Sequence, residues 1–296
     1  MKYLKLFESF EDLHQLCKIY GIENYLINNN GSINVEGDVD LVGKNLKKIP
    51  INFERVSGFF TCRDNKLVSL EFCPKEVGSH FNCSDNKLTS LEFCLNEVSG
   101  NFNCGWNRLT SLEYCPNKVG GGFNCSNNRL KSLKGCVVYI SGEFDCKRNY
   151  LQSLEFCPEY VGGNFSCSHN NLKSLKFCPE YIGGNFKCTY NLLTVIDYLP
   201  KEINGDIYFQ WNQIKDIKVG HETYYLKGLC YMSGQNPIDS LFKYWDNNLG
   251  EFIQDLEIDG FITNDGKSVD LIRLKNSLEF RGKVYKDGSI SNYELI

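Results

Sequence analysis

Cysteine is the residue type in this chain that first invites a chemical reading. Fifteen are present, and a thiol can pair, ligate a metal or act as a nucleophile. Thirteen fall in two rows with a stride of 21 residues: seven from Cys62 to Cys188 and six from Cys73 to Cys178. Only Cys17 and Cys230 stand outside the rows. No C-x-x-C occurs and no histidine neighbours the rows, so the spacing does not suit zinc. Strands stacked ~4.8 Å apart would leave bridging between turns geometrically open. Leu41 and Phe209, however, occupy the equivalent places at the two ends of the first row. The rows therefore read as an apolar slot filled by small hydrophobes, not as a disulfide framework.

Other catalytic patterns are missing. His14, His80, His169 and His221 are scattered, with no H-E-x-x-H, no G-x-S-x-G and no G-x-x-x-x-G-K. Gly120-Gly121-Gly122 looks like a phosphate loop, but small residues recur there in every repeat. No catalytic residue, metal ligand or cofactor is assigned, and the chain reads as a non-enzyme.

The elements that position these residues follow from one period. Three residues after each cysteine of the first row, the 21-residue stride gives an asparagine from Asn65 to Asn212. Two further on runs a leucine row from Leu67 to Leu193, ending in Ile214. Such regularity without insertion predicts a solenoid whose turns stack in register. A degenerate first coil spans 35–55, fuller coils begin at Val56, Val77, Val98, Val119, Ile140, Val161 and Ile182, and a ninth begins at Ile203. Within a coil, Phe60 and Cys62 point inward and Thr61 outward. Asn65 ends the strand and bonds backbone in the turn, its equivalents forming a ladder. Leu67, Leu70 and Cys73 return to the core, and small residues such as Gly78 permit a close approach or unusual dihedrals.

The unit N-x-L-x-S-L-x-x-C-P-x-x-V, as at Asn86-Lys87-Leu88-Thr89-Ser90-Leu91, resembles the short bacterial-type leucine-rich repeat. That resemblance covers the region 35–219. It implies a solenoid with a parallel β-sheet on a concave, partner-binding face and a mostly irregular convex side. Cysteine replaces leucine at two core places, and Glu or Lys usually replaces the first proline. The F-x-C variant with the lead-in Met1-Lys2-Tyr3-Leu4-Lys5-Leu6-Phe7 is also similar to repeat proteins of large tailed phages. Some effector repeat proteins carry a ubiquitin-ligase domain with a catalytic cysteine; Cys230 is the candidate here, but the stretch after 219 is too short for that domain.

Flanking regions are expected to cap the stack. Phe7, Phe10, Leu13, Leu16, Cys17 and Tyr20 recur at helical spacing up to Gly21, and 25–27 with 33–35 form a hairpin, giving a cap over 1–34. Residues 220–296 break the period. Ile238, Leu241, Phe242, Trp245 and Leu249 onward suggest one or two helices, and 268–274, 278–285 and 290–296 suggest strands. Together they make an α+β cap or small accessory domain.

Function is expected where the coils differ. One outward column reads Asp64, Asp85, Trp106, Asn127, Arg148, His169, Tyr190, Trp211. A neighbour within the strand reads Thr61, Asn82, Asn103, Asn124, Asp145, Ser166, Lys187, Tyr208, and a third, ahead of the Phe, includes His80, Asn101, Asn164, Asn185 and Asp206. Exposed aromatics and arginine anchor interfaces. Asp64, Asp85, Trp106, Arg148, His169, Tyr190, Tyr208 and Trp211 are the candidate partner-binding residues, with packing of Trp211 on the C-terminal region as the other reading. Glycan or nucleic-acid binding and a structural role in a virion are alternatives. Lys66, Lys87, Arg108 and Arg129 form a basic edge, but acidic residues follow in the first three of these coils. A net charge of −4 disfavours nucleic acid and anionic membranes. No apolar run reaches the ~18 residues of a membrane span, and no secretory segment is recognised at the start. The expected setting is a reducing cytoplasm, the host's if the phage resemblance holds, with the partner and oligomeric state open.

Overall fold

The computed structural model describes residues 10–209 and 211–213, and beyond them the short strands Asp216–Ile217, Tyr225–Leu226, Cys230–Tyr231, Ser268–Val269 and Glu294–Leu295. Two compact units are present: 1–150 with 156–158, and 151–155 with 159–296. Each contains turns of a parallel β-solenoid, and between them they supply about eight turns.

The expected N-terminal helix and hairpin are present. A helix spans Phe10–Tyr20, with Glu11 and Asp12 in its first turn and Lys18 in its last, charges that complement the helix dipole. Leu13 and Cys17 are buried on one face. Gly21, at φ +67°, ends the helix, and the Ile22 amide donates back to the Cys17 carbonyl at 2.8 Å. Tyr25–Ile27 then pairs antiparallel with Ile33–Val35, which pairs parallel with Phe53–Val56. This mixed sheet leads into the solenoid.

In the first unit Val39–Asp40, Phe60–Thr61, Phe81–Asn82, Phe102–Asn103, Phe123–Asn124 and Phe144–Asp145 form one parallel ladder. The second unit repeats it with Phe165–Ser166, Phe186–Lys187, Ile207–Tyr208 and Cys230–Tyr231. Equivalent residues face each other without slippage, because a one-residue slip would turn every buried Phe to solvent. Phe60 to Phe186 and Cys62 to Cys188 are fully buried at each step, as are the leucine rows. Phe60 and Phe81 stack at 5.7 Å and 14°, and Phe165 and Phe186 at 5.4 Å and 3°. Each buried ring contributes roughly 1.5–3 kcal/mol through removal from water.

Each turn carries more strand than expected. A second short strand occurs in every turn, at Glu76–Val77, Glu97–Val98 and Lys118–Val119 in the first unit. Tyr160–Val161, Tyr181–Ile182, Glu202–Ile203 and Tyr225–Leu226 do the same in the second. The small residues after the valine act through close approach. A Cβ on Gly120 would lie 2.1 Å from the Ser99 carbonyl oxygen, and one on Gly183 2.1 Å from that of Gly162. Strand pairing runs on past 219, to Tyr225–Leu226 and Cys230–Tyr231. Ser268–Val269 and Glu294–Leu295, within two of the expected C-terminal strands, pair in parallel. The expected helices after 236 and the strand at 278–285 lie outside the described residues.

The asparagines form the expected buried ladder, and each one ties two turns together through their backbone. Asn107 Nδ2 donates to the carbonyls of Cys104 and Gly105 in its own turn and of Cys83 in the preceding one, at 3.0–3.2 Å. Its Oδ1 accepts the Leu88 amide at 3.0 Å. Asn86, Asn128 and Asn149 repeat the pattern in the first unit, and Asn191 in the second. Each asparagine thus satisfies buried backbone of two turns at once.

Cys17 and the thirteen cysteines of the two rows are free thiols. The two rows lie side by side inside the core, close enough for Cys62 and Cys73 to hydrogen-bond and for thiols of both rows to raise one another. Burial pushes Cys73, Cys83, Cys94, Cys104, Cys125, Cys136, Cys146 and Cys157 above the ordinary range, and Cys115 to about 12. They are packed as hydrophobes, and a thiolate is not accessible near neutral pH.

Candidate functional site

The candidate column is built by a short sequence of backbone events repeated in each turn. In the strand, Asn103 Oδ1 accepts the Gly105 amide at 3.0 Å, and Asn82, Asn124 and Asp145 do the same two residues ahead. This fold-back is followed directly by a residue in the left-handed region, such as Trp106 after Gly105, after which the asparagine clamp closes the turn. Asp64, Asp85, Trp106, Asn127, Arg148, His169, Tyr190 and Trp211 all have φ between +53° and +63°. Gly43 occupies the same place in the first coil at +66°.

That conformation suits glycine, asparagine and aspartate; for other L-residues it costs roughly 1–2 kcal/mol. Gly43, Asp64, Asp85 and Asn127 satisfy it. Trp106, Arg148, His169, Tyr190 and Trp211 do not, and all but the half-buried His169 gain little burial in return: Trp106 is 59 % exposed, Trp211 62 % and Tyr190 45 %. Trp211 is exposed, and most of the residues after 219 on which the other reading would pack it lie outside the described ones.

The candidates fall into the two units. Asp64, Asp85, Trp106 and Arg148 project from successive or alternate turns of the first. In the second, His169 and Tyr190 stack at 4.2 Å and 10°, and Tyr190 and Trp211 at 5.4 Å and 16°. Beside this stack Lys187 Nζ lies 5.8 Å from the Tyr208 ring centre, and Tyr208 Oη donates to Asp206 Oδ2 at 3.1 Å. All eight named candidates are thus set out along ladders of the Phe-x-Cys strands.

The remaining columns have structural work. His80 Nδ1 accepts the Asn101 amide at 2.8 Å, Asn101 Oδ1 accepts that of Gly122 at 2.7 Å, and Asn164 and Asn185 repeat this in the second unit. The third column is therefore a set of acceptors joining one turn to the next. Lys66, Lys87, Arg108 and Arg129 are exposed along their edge.

One row escaped the sequence reading. Phe72, Phe93, Tyr114, Phe156, Phe177 and Tyr198 also have positive φ, between +49° and +72°, and Gly135 stands among them at +95°. The Cys73 amide donates to the Leu70 carbonyl at 2.9 Å, placing Phe72 third in a β-turn that favours glycine. Phe93, Tyr114, Phe156, Phe177 and Tyr198 are exposed. The signal was the lone Gly135 in an otherwise aromatic period-21 row.

Among the described residues no cluster of three or more His, Cys, Asp or Glu could hold a metal ion, and no helix is long and apolar enough to cross a membrane. Fold and surface define a parallel β-solenoid repeat protein with side chains displayed at backbone positions that disfavour them. No protein-family model and no curated protein matches the chain.

Proposed function

We propose that the chain is a leucine-rich-repeat-like, non-enzymatic scaffold that binds a partner protein through the face carrying the Phe-x-Cys strands. One observation carries this reading: bulky Trp106, Arg148, Tyr190 and Trp211, all exposed, and half-buried His169 sit in left-handed positions where asparagine or glycine would fold more easily. Side chains that oppose local folding and bury little are explained by contact with something else. The stacked rings favour a protein over a glycan or nucleic acid. His169, Tyr190 and Trp211 turn faces toward one another, leaving edges for a partner, whereas sugars and bases stack on faces. A phage setting would make that partner a host or phage protein.

The test is affinity capture from a bacterial lysate with the intact chain. A discrete protein retained by the native chain and lost with Trp106→Ala and with Arg148→Ala, but kept with Lys87→Ala on the basic edge, supports the proposal. Retention that is unchanged by both variants, or salt-sensitive retention of nucleic acid in place of protein, refutes it.

A further inference from the structure

The first unit carries a local break in its outer face that the strand-face reading does not use. In the turn 131–139, four positions depart together from their neighbours. Gly135 interrupts the exposed aromatic row between Tyr114 and Phe156. Lys134 stands where earlier turns have Glu71, Glu92 and Glu113, and Lys131 where they have Val68, Thr89 and Thr110. Val138 replaces Lys75, Asn96 and Asn117 and is 62 % exposed.

The gap in the row is fixed by backbone. A Cβ on Gly135 would lie 2.6 Å from the Leu112 carbonyl oxygen, so no side chain can fill it without displacement. Tyr114 and Phe156 stand two turns apart, a separation of ~9.6 Å at ordinary strand spacing. A ring inserted between two others needs ~3.5–4 Å on each side. The spacing therefore leaves room for one planar aromatic side chain over the Gly135 backbone, with exposed Val138 three residues along the same turn. Scattered exposed apolar residues need no explanation, but these cluster around a notch and coincide with a change of charge.

We propose that this notch docks a protein segment presenting one aromatic side chain next to a carboxylate. The ring enters between Tyr114 and Phe156, and the carboxylate meets Lys134, with Lys131 in the same turn adding positive charge. The charge reversal selects the partner's sign: the earlier turns, with glutamate at this place, would repel it. The site is separate from the Trp106 column and stands or falls independently of it.

The probe is a synthetic peptide with one tryptophan between two glutamates in a glycine-serine frame, titrated into the isotope-labelled intact chain and followed by amide chemical shifts. Saturable shifts confined to 114, 131–139 and 156 are expected. Lys134→Glu should weaken binding about fivefold, the size of an exposed ion pair made repulsive. Tyr114→Ser should weaken it further, and Trp106→Ala should leave it unchanged. The matching peptide with lysines in place of glutamates should give no saturable shift. No saturable shift with the acidic peptide, equal binding of both peptides, insensitivity to Lys134→Glu, or stronger shifts of the same amides by an oligouridylate would each overturn the proposal.

Discussion

Truncating a single asparagine, Asn128→Ala, tests how the turns are joined. Asn128 is buried, its Nδ2 donating to Cys104 and Cys125 carbonyls at 3.1 Å and its Oδ1 accepting the Leu109 amide at 2.9 Å. Alanine leaves one buried N–H and the three carbonyls of Cys104, Cys125 and Ser126 without this partner. At ~1–3 kcal/mol for a stranded buried group, partly relieved by water entry, the loss should be about 3–4 kcal/mol. Asn65, half-buried in an earlier turn, should lose less, about 1–2 kcal/mol on the same scale. Asn128→Asp sharpens the test, because a carboxylate keeps the acceptor but turns oxygen toward carbonyl oxygens. That variant should be worse than alanine at neutral pH. It should recover as acid protonates the buried carboxyl, whose hydroxyl can donate. The assay is urea unfolding followed by tryptophan fluorescence across pH. A cost below about 1 kcal/mol for Asn128→Ala, or no pH dependence in Asn128→Asp, would refute the clamp as the main link between turns.

Further outcomes follow from the core. The buried thiols of Cys83, Cys104, Cys125 and Cys146 have raised pKa values, so the folded chain keeps protons that the unfolded chain has released. Their contribution is complete below the ordinary thiol value near 9 and falls as pH rises through the folded values, such as about 12 for Cys115. Denaturation between pH 8 and 11 should show stability falling steeply above 9, and less steeply in Cys125→Ala. Gly120→Ala should destabilise the chain by about 2 kcal/mol or more, since its methyl would overlap the Ser99 carbonyl. Thermal unfolding checks it, with an exposed glycine such as Gly31→Ala not serving as a control because its φ is +79°.

Much of the fold was legible because one period fixes both register and burial. Phe60, Cys62, Asn65 and Leu67 each mark a place that repeats, and repeated places reveal structure. Two kinds of feature were hidden. Backbone handedness was masked where Trp106 or Arg148 stands in a left-handed position, although Gly43, Asp64, Asp85 and Asn127 in that column carried the hint. The second strand of each turn was obscured because pieces as short as Glu97–Val98 show no alternation. Beyond 219 the stride itself changes: Ile203 pairs with Leu226, twenty-three residues on, so a search at 21 loses the ladder. The candidate columns lie within and just beside the Phe-x-Cys strands, but only side-chain hydrogen bonds separate the structural third column from the displayed one.

The central claim is that the left-handed column gives up stability to display side chains, and Trp106→Asn measures this most directly. Asparagine relieves the backbone at φ +53° while removing a ring that is mostly exposed. Equilibrium unfolding should show a gain of about 0.5–1 kcal/mol, accompanied by loss of the captured partner. A loss of stability in the variant would show that the indole holds the fold together, and the account would be wrong.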